Sequence, residues 1–103
     1  MENVGPFFAS KLNEIGVKLS QAGKGPSALA LYQKAHKVVK PELRYKISLN
    51  AALACRRSED FDKALTFVKR CREEYGQNFE KLEKIEKNLH ALIAQIKAKG
   101  KAL

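Results

Sequence analysis

The side chains that most often carry out catalysis or bind metals are few in this chain and stand far apart. His36 and His90 are its two histidines, and no cysteine or carboxylate lies at a metal-ligand spacing from either of them. We therefore expect both to be surface or half-buried residues with structural roles. Cys55 and Cys71 fall at helical positions that suit small buried residues, which predicts a reducing, cytoplasmic environment.

A glycine-containing segment, Gly23-Lys24-Gly25-Pro26-Ser27, has the composition of a phosphate-binding loop. It lacks the spacing and the preceding strand that allow backbone amides to surround a phosphate, so it predicts a turn between helices. Carboxylates elsewhere alternate with lysines, as on solvated helix faces. The sequence therefore predicts a protein that is not an enzyme and that has no cofactor or metal.

Small and apolar residues recur at spacings that predict pairs of helices packed back to back. The first pair has them at Leu12, Ile15, Gly16, Leu19, Ala28, Tyr32 and Ala35. The second pair has them at Ala51, Ala52, Cys55, Ala64, Val68 and Cys71. Small side chains let two helices approach closely, and a glycine removes the Cβ that would hold them apart. A helix pair that recurs after about a third of the chain indicates a repeat protein.

Turn residues between the apolar segments predict five helices and no strand. Gly23 is expected to adopt the left-handed conformation that ends the first helix, and Asp60 is expected to cap the fourth. The third helix is apolar nearly all round, as in a helix buried between neighbours. The predicted ranges are 6–22, 26–39, 41–57, 61–76 and 78–99. The last is an amphipathic cap whose apolar stripe is Leu82, Ile85, Leu89, Leu92 and Ile96.

This pattern resembles the tetratricopeptide repeat (TPR), a helix pair of about 34 residues. The first unit matches its signature at Leu12, Ile15, Gly16, Leu19, Ala28, Tyr32, Ala35 and Pro41, and the second unit is a weaker match. The resemblance covers about residues 8–96. It implies an all-α fold of TPR-like α-hairpin repeats, an α-solenoid of about five helices, with one domain at 8–98 between short tails at 1–7 and 99–103.

In the TPR family the first helix of each pair lines a concave groove that receives an extended or helical peptide. The resemblance therefore implies a protein-interaction module, and domains of this kind are often attached to bacterial signalling proteins such as response regulators. Its groove residues would be Asn13, Val17, Gln21, Lys46, Leu49, Asn50, Leu53, Arg57 and Lys84. Asparagine side chains both donate and accept hydrogen bonds, which suits the backbone of an extended peptide.

Charge indicates the kind of partner. The 103 residues include 20 Lys and Arg against 11 Asp and Glu, a net charge of +9, which attracts anionic partners. Most basic residues are spread over all five predicted helices, unlike the one-sided patch of a nucleic-acid binder. Lys46, Arg56 and Arg57 stand together at the groove edge and favour an acidic peptide. Nucleic acid, and a homodimer formed through the fifth helix, stay open as alternatives.

No segment approaches the roughly 18 consecutive apolar residues of a membrane-spanning helix. The N-terminal residues have neither a basic leader nor a long apolar stretch. With 45% hydrophobic residues in 103, the chain predicts one small domain with a modest core. We therefore expect a cytoplasmic protein with no membrane partner.

Overall fold

A computed structural model describes residues 4–76 and 80–102 of the chain. It contains α1 (Val4–Gln21), α2 (Gly25–Val38), α3 (Arg44–Arg57), α4 (Phe61–Tyr75) and α5 (Glu80–Ala102). A short 3-10 helix, Pro41–Leu43, precedes α3. No strand occurs in the described ranges, so the predicted all-α fold with five helices is confirmed. Within these ranges, no helix is both long enough and apolar enough to span a membrane.

Helix ends depart from the predicted ones at several places. Helix α1 begins at Val4 and α5 continues to Ala102, so helix extends into both segments predicted as tails. Asn78, the predicted start of the fifth helix, lies outside the described residues. Pro41 opens a 3-10 turn and not α3 itself, because the Leu43 amide donates to the Lys40 carbonyl at 2.9 Å, three residues back.

The predicted stop and start signals act locally as expected. Gly23 has φ 81°, and Gly76 at the end of α4 has φ 72°, both left-handed. The Asp60 carboxylate accepts a 3.4 Å hydrogen bond from the Lys63 amide, so Asp60 caps α4 as predicted. Glu59 also takes a left-handed conformation, with φ 64°, although it carries a side chain.

The first hairpin packs α1 against α2 through the residues that predicted it. Ala28 and Ala35 are fully buried, as is the Tyr32 ring. A Cβ on Gly16 would lie 2.7 Å from that ring, so the missing side chain makes room for Tyr32. Ile15, expected in the same interface, is 47% exposed. The prediction for Ile15 is wrong because the ring over Gly16 occupies the centre of the contact and leaves Ile15 outside it.

The second hairpin repeats this packing between α3 and α4. Ala64, Val68 and Cys71 are buried on α4, and α3 buries residues on most of its circumference, as its apolar sequence predicted. The two hairpins meet where α2 begins: a Cβ on Gly25 would lie 1.9 Å from the Ser58 hydroxyl oxygen at the end of α3. Helix α3 also contacts α1, and this contact forms the surface considered below.

Helix α5 packs against α4 with the first half of its apolar stripe. Leu82 and Leu89 are fully buried and Ile85 nearly so, whereas Ile96 is 53% exposed. Ile96 lies beside Phe61, the first residue of α4, in a cavity that also includes the turn before α4. The stripe is therefore covered only as far as α4 reaches. Dimerisation through the exposed part of α5 stays a prediction.

Candidate protein-binding groove

Two side-chain hydrogen bonds join α1 to α3 along one surface of the molecule. The Asn50 Nδ2 atom donates to the Asn13 Oδ1 atom at 2.6 Å. Two turns further along, the Arg57 Nη1 atom donates to the Ser20 hydroxyl oxygen at 2.8 Å. We call this surface the α1–α3 groove; the predicted residues that line its cavities are Asn13, Val17, Gln21, Lys46, Asn50, Leu53 and Arg57.

Leu49 and Lys84, also predicted to face the groove, line neither of its cavities. Leu49 is only 9% exposed. It precedes Arg56 by two helical turns, so both lie on the same side of α3, and the Arg56 Nη1 atom donates to Asn88 of α5 at 3.2 Å. Leu49 therefore lies on the α5 side of α3, within the core. Lys84 is exposed one turn before Asn88.

One cavity of the groove lies where α1 and α3 meet the chain between α2 and α3. Its volume is about 200 Å³. We call it the connector pocket; its lining residues are Ala9, Ser10, Asn13, Val39, Lys40, Leu43, Lys46 and Ile47. Sequence reasoning found only Asn13 and Lys46 among them. Pro41 predicts the start of a helix, whereas in the structure it opens the 3-10 turn whose Leu43 lines the pocket.

The second cavity is smaller, about 70 Å³, and Arg57 forms part of its lining. We call it the Arg57 pocket; it is lined by Val17, Ser20, Gln21, Tyr32, Asn50, Leu53 and Arg57. Burial raises the pKa of the Tyr32 phenol, and the nearby Arg57 charge partly opposes this. A guanidinium has five N–H donors, so the bond to Ser20 leaves Arg57 able to bind a carboxylate.

Two lysines stand at the connector pocket, Lys40 and Lys46. Lys11, Lys18, Lys63 and Arg72 have a carboxylate beside them, whereas most other Lys and Arg side chains of the described residues have none. Lys40 and Lys46 belong to the second group, since no carboxylate of the described residues pairs with either. Both are exposed at the pocket. This end of the groove therefore presents two unpaired positive charges beside an apolar cavity.

A polar cluster that sequence reasoning missed connects the two hairpins away from the groove. His36 Nε2 of α2 contacts the Glu74 carboxylate of α4. The same carboxylate accepts a 2.5 Å hydrogen bond from the buried Ser48 hydroxyl of α3. His36 is half-buried, as predicted, and its role is to join helices. Because the partners are 38 and 26 residues apart, no local pattern marks them.

The two cysteines are buried and free, as small residues of the core. Burial, assisted by the Glu74 charge, raises the pKa of the Cys71 thiol to about 11. Burial also raises the pKa of Cys55, with Asp60 adding to the effect. Thiols held in their neutral form are poor nucleophiles, so neither cysteine is suited to attack a substrate.

Comparison with known proteins gives no family assignment. No protein-family model matches the chain, and no match is found among curated proteins or solved structures. The resemblance to the tetratricopeptide repeat therefore stays a prediction that depends on the residues of the two helix pairs.

Proposed function

We propose that this chain is a TPR-like protein-interaction module that binds an acidic peptide or helix of another protein in the α1–α3 groove. The observation that carries the proposal is the pairing of two groove cavities with cationic side chains: Lys40 and Lys46 at one, Arg57 at the other. Binding, and not catalysis, is the proposed role. The setting suggested by the resemblance is a bacterial signalling or regulatory protein such as a response regulator.

Charge and shape both support an acidic partner. The two cavities lie along the same two helices and are joined by the Asn13–Asn50 hydrogen bond, because Asn13 lines one cavity and Asn50 the other. A peptide lying along α1 and α3 would therefore meet cations at both ends. Charge complementarity of this kind raises the association rate and selects against basic partners. Two free buried cysteines fit the reducing cytoplasm, which we propose as the location.

The test uses peptides selected on the immobilised full chain from a library of random sequences. Affinities of the enriched peptides are then measured by fluorescence anisotropy for the wild type and for the double variant Lys46→Glu, Arg57→Glu. We expect the double variant to bind more than about tenfold more weakly, because both charges contact the peptide. Thermal melting is followed in parallel, since Arg57→Glu also removes the bond to Ser20.

The matched control is Lys34→Glu, Lys37→Glu on α2. Both lysines are exposed and line neither groove cavity, and the net charge changes equally. We expect this control to alter the affinity less than twofold. If both double variants lose binding alike, the attraction is diffuse and the groove proposal fails. A fall in RNA affinity of orders of magnitude between 50 and 200 mM salt would then favour the nucleic-acid alternative.

A further inference from the structure

The connector pocket has apolar walls that come from three separate elements. Ala9 on α1, Val39 after α2 and Ile47 on α3 are buried and form part of its lining. Leu43 of the 3-10 helix also lines it and is 37% exposed. The cavity measures about 200 Å³, and an apolar cavity of about 150 Å³ accommodates benzene. The pocket therefore has room for a leucine-sized or aromatic side chain.

Backbone hydrogen bonds fix the chain between α2 and α3, which forms one wall of the connector pocket. The Val39 amide continues the α2 pattern by donating to the Ala35 carbonyl at 2.9 Å. The Leu43 amide closes the next turn on the Lys40 carbonyl, also at 2.9 Å, and the ring of Pro41 fixes φ between them. A pocket formed before binding loses less entropy when a ligand enters it.

Charged and apolar features meet at this pocket. Lys40 and Lys46 both line it and neither pairs with a described carboxylate. Both lysines are exposed, so their attraction for a bound carboxylate is screened by water and selects an acidic ligand more than it tightens binding. A ligand that fills the pocket with an apolar group and places a carboxylate at its edge would satisfy both features.

We propose that the connector pocket anchors one bulky apolar side chain, leucine-sized or aromatic, of an acidic peptide, and that Lys40 and Lys46 bind carboxylates on the residues next to that anchor. The inference rests on the proposed function and specifies the peptide. From the anchor, the chain of the peptide continues past Asn13 and Asn50 toward Arg57. The sequence that the groove selects is therefore a large apolar residue flanked by Asp or Glu, with a further acidic residue toward the Arg57 pocket.

The same library of random peptides tests this specificity. We expect enriched sequences to share one large apolar residue with an adjacent Asp or Glu. Replacing that apolar residue by Ala should weaken binding to the wild type more than about tenfold, and replacing the adjacent acid should weaken it several-fold. Enriched peptides that are acidic but share no apolar residue would overturn the anchor while leaving the proposed function intact.

Protein variants locate the anchor in the pocket. Leu43→Ser should weaken binding about fivefold or more. In this variant, replacing the apolar anchor residue of the peptide by Ala should have little further effect, because the two side chains contact each other and their effects are not additive. The matched control is Val38→Ser, since Val38 is also exposed, at 43%, but does not line the pocket. Likewise Lys40→Glu should weaken binding more than Lys37→Glu.

The outcomes separate the two proposals. One outcome would overturn the anchor alone: Leu43→Ser and Val38→Ser lower the affinity equally, for a peptide whose binding still depends on Lys46 and Arg57. Failure of the library to yield any peptide whose binding depends on Lys46 and Arg57 would overturn the proposed function and the anchor together. Folding of every variant is checked by its far-ultraviolet circular dichroism before binding is measured.

Discussion

Asn13 and Asn50 are hydrogen-bonded to each other across the α1–α3 groove, with 2.6 Å between the Asn50 amide nitrogen and the Asn13 side-chain oxygen. The sequence suggested that each would serve the backbone of a bound peptide. In the structure the pair also links the two helices that form the groove, and the peptide-binding role stays a prediction. Their contribution to binding is therefore expected to include holding α1 and α3 at the right separation.

The first prediction follows from this bond. Asn13→Ala and Asn50→Ala should each lower the free energy of unfolding by about 1 kcal/mol, since each leaves a half-buried amide without its partner. The double variant should lose clearly less than the sum, because the second substitution removes the group left unpaired by the first. Urea unfolding measures all three. Gln21→Ala, on the exposed side of the groove, is the control and should be neutral; strictly additive losses would mean that the bond does not form.

A second prediction concerns the contact between Gly16 and Tyr32. Alanine is the better helix former by about 1 kcal/mol, so Gly16→Ala would stabilise an unobstructed helix. Here the added Cβ would lie 2.7 Å from the buried ring, and overpacking of this kind typically lowers stability by about 1 to 3 kcal/mol. We expect a net loss, measured by thermal or urea unfolding.

The control for this prediction removes the ring. In a Tyr32→Leu background the obstruction is absent, and Gly16→Ala should become neutral or stabilising there. If Gly16→Ala alone, with Tyr32 present, raised the free energy of unfolding, α1 and α2 would lie further apart than in the structure.

Local features of the fold could be predicted because each depends on residues within one or two turns. The left-handed Gly23, the Asp60 cap and the buried Ala28 are of this kind. The exposure of Ile15 could not be predicted in this way. Its position in the repeat pattern predicted burial, but the exact rotation of α1 against α2 depends on how the Tyr32 ring fits over Gly16.

Features of the site that depend on tertiary packing could not be predicted in the same way. The connector pocket brings Ala9 beside Val39 and Ile47, and only the packing of α1, α2 and α3 does so. The Asn13–Asn50 bond spans 37 residues. Asparagine is common on polar helix faces, so the sequence around Asn13 or Asn50 does not indicate that the two are hydrogen-bonded.

The third prediction concerns Glu59, a left-handed residue that is not glycine. A side chain in this conformation is unfavourable by roughly 1 kcal/mol, and glycine, which adopts it freely, loses part of that gain through its more flexible unfolded state. Glu59→Gly should therefore raise the free energy of unfolding by a net of about 0.5 kcal/mol.

Gly76 provides the opposite substitution at a similar backbone conformation, φ 72° against 64°. Gly76→Ala should destabilise by about 1 kcal/mol, although no other described residue outside its immediate chain neighbours comes within 4 Å of the added Cβ. Urea unfolding of both variants tests the pair. A loss of stability in Glu59→Gly would show that the Glu59 side chain makes a contribution larger than the backbone strain.

The last prediction is a dependence of stability on pH that comes from Cys71. Burial raises the pKa of its thiol from 9.0 to about 11 in the folded chain. An acid whose pKa is higher in the folded state stabilises the fold fully below its unfolded pKa, and that stabilisation is lost as the pH rises. The free energy of unfolding should therefore fall between about pH 9 and pH 11, over and above the effects of other groups.

The variant Cys71→Ser isolates this effect. Serine keeps a hydroxyl that can donate to the Tyr45 carbonyl, as the thiol does at 3.2 Å, but it does not titrate in this range. Tyr32 and Cys55, whose pKa values are also raised, are present in both proteins, so their contributions cancel in the comparison. Urea unfolding at a series of pH values should show a steeper decline for the wild type than for Cys71→Ser. Equal slopes would mean that the thiol ionises in the folded chain as readily as in the unfolded one, and would place Cys71 in contact with water.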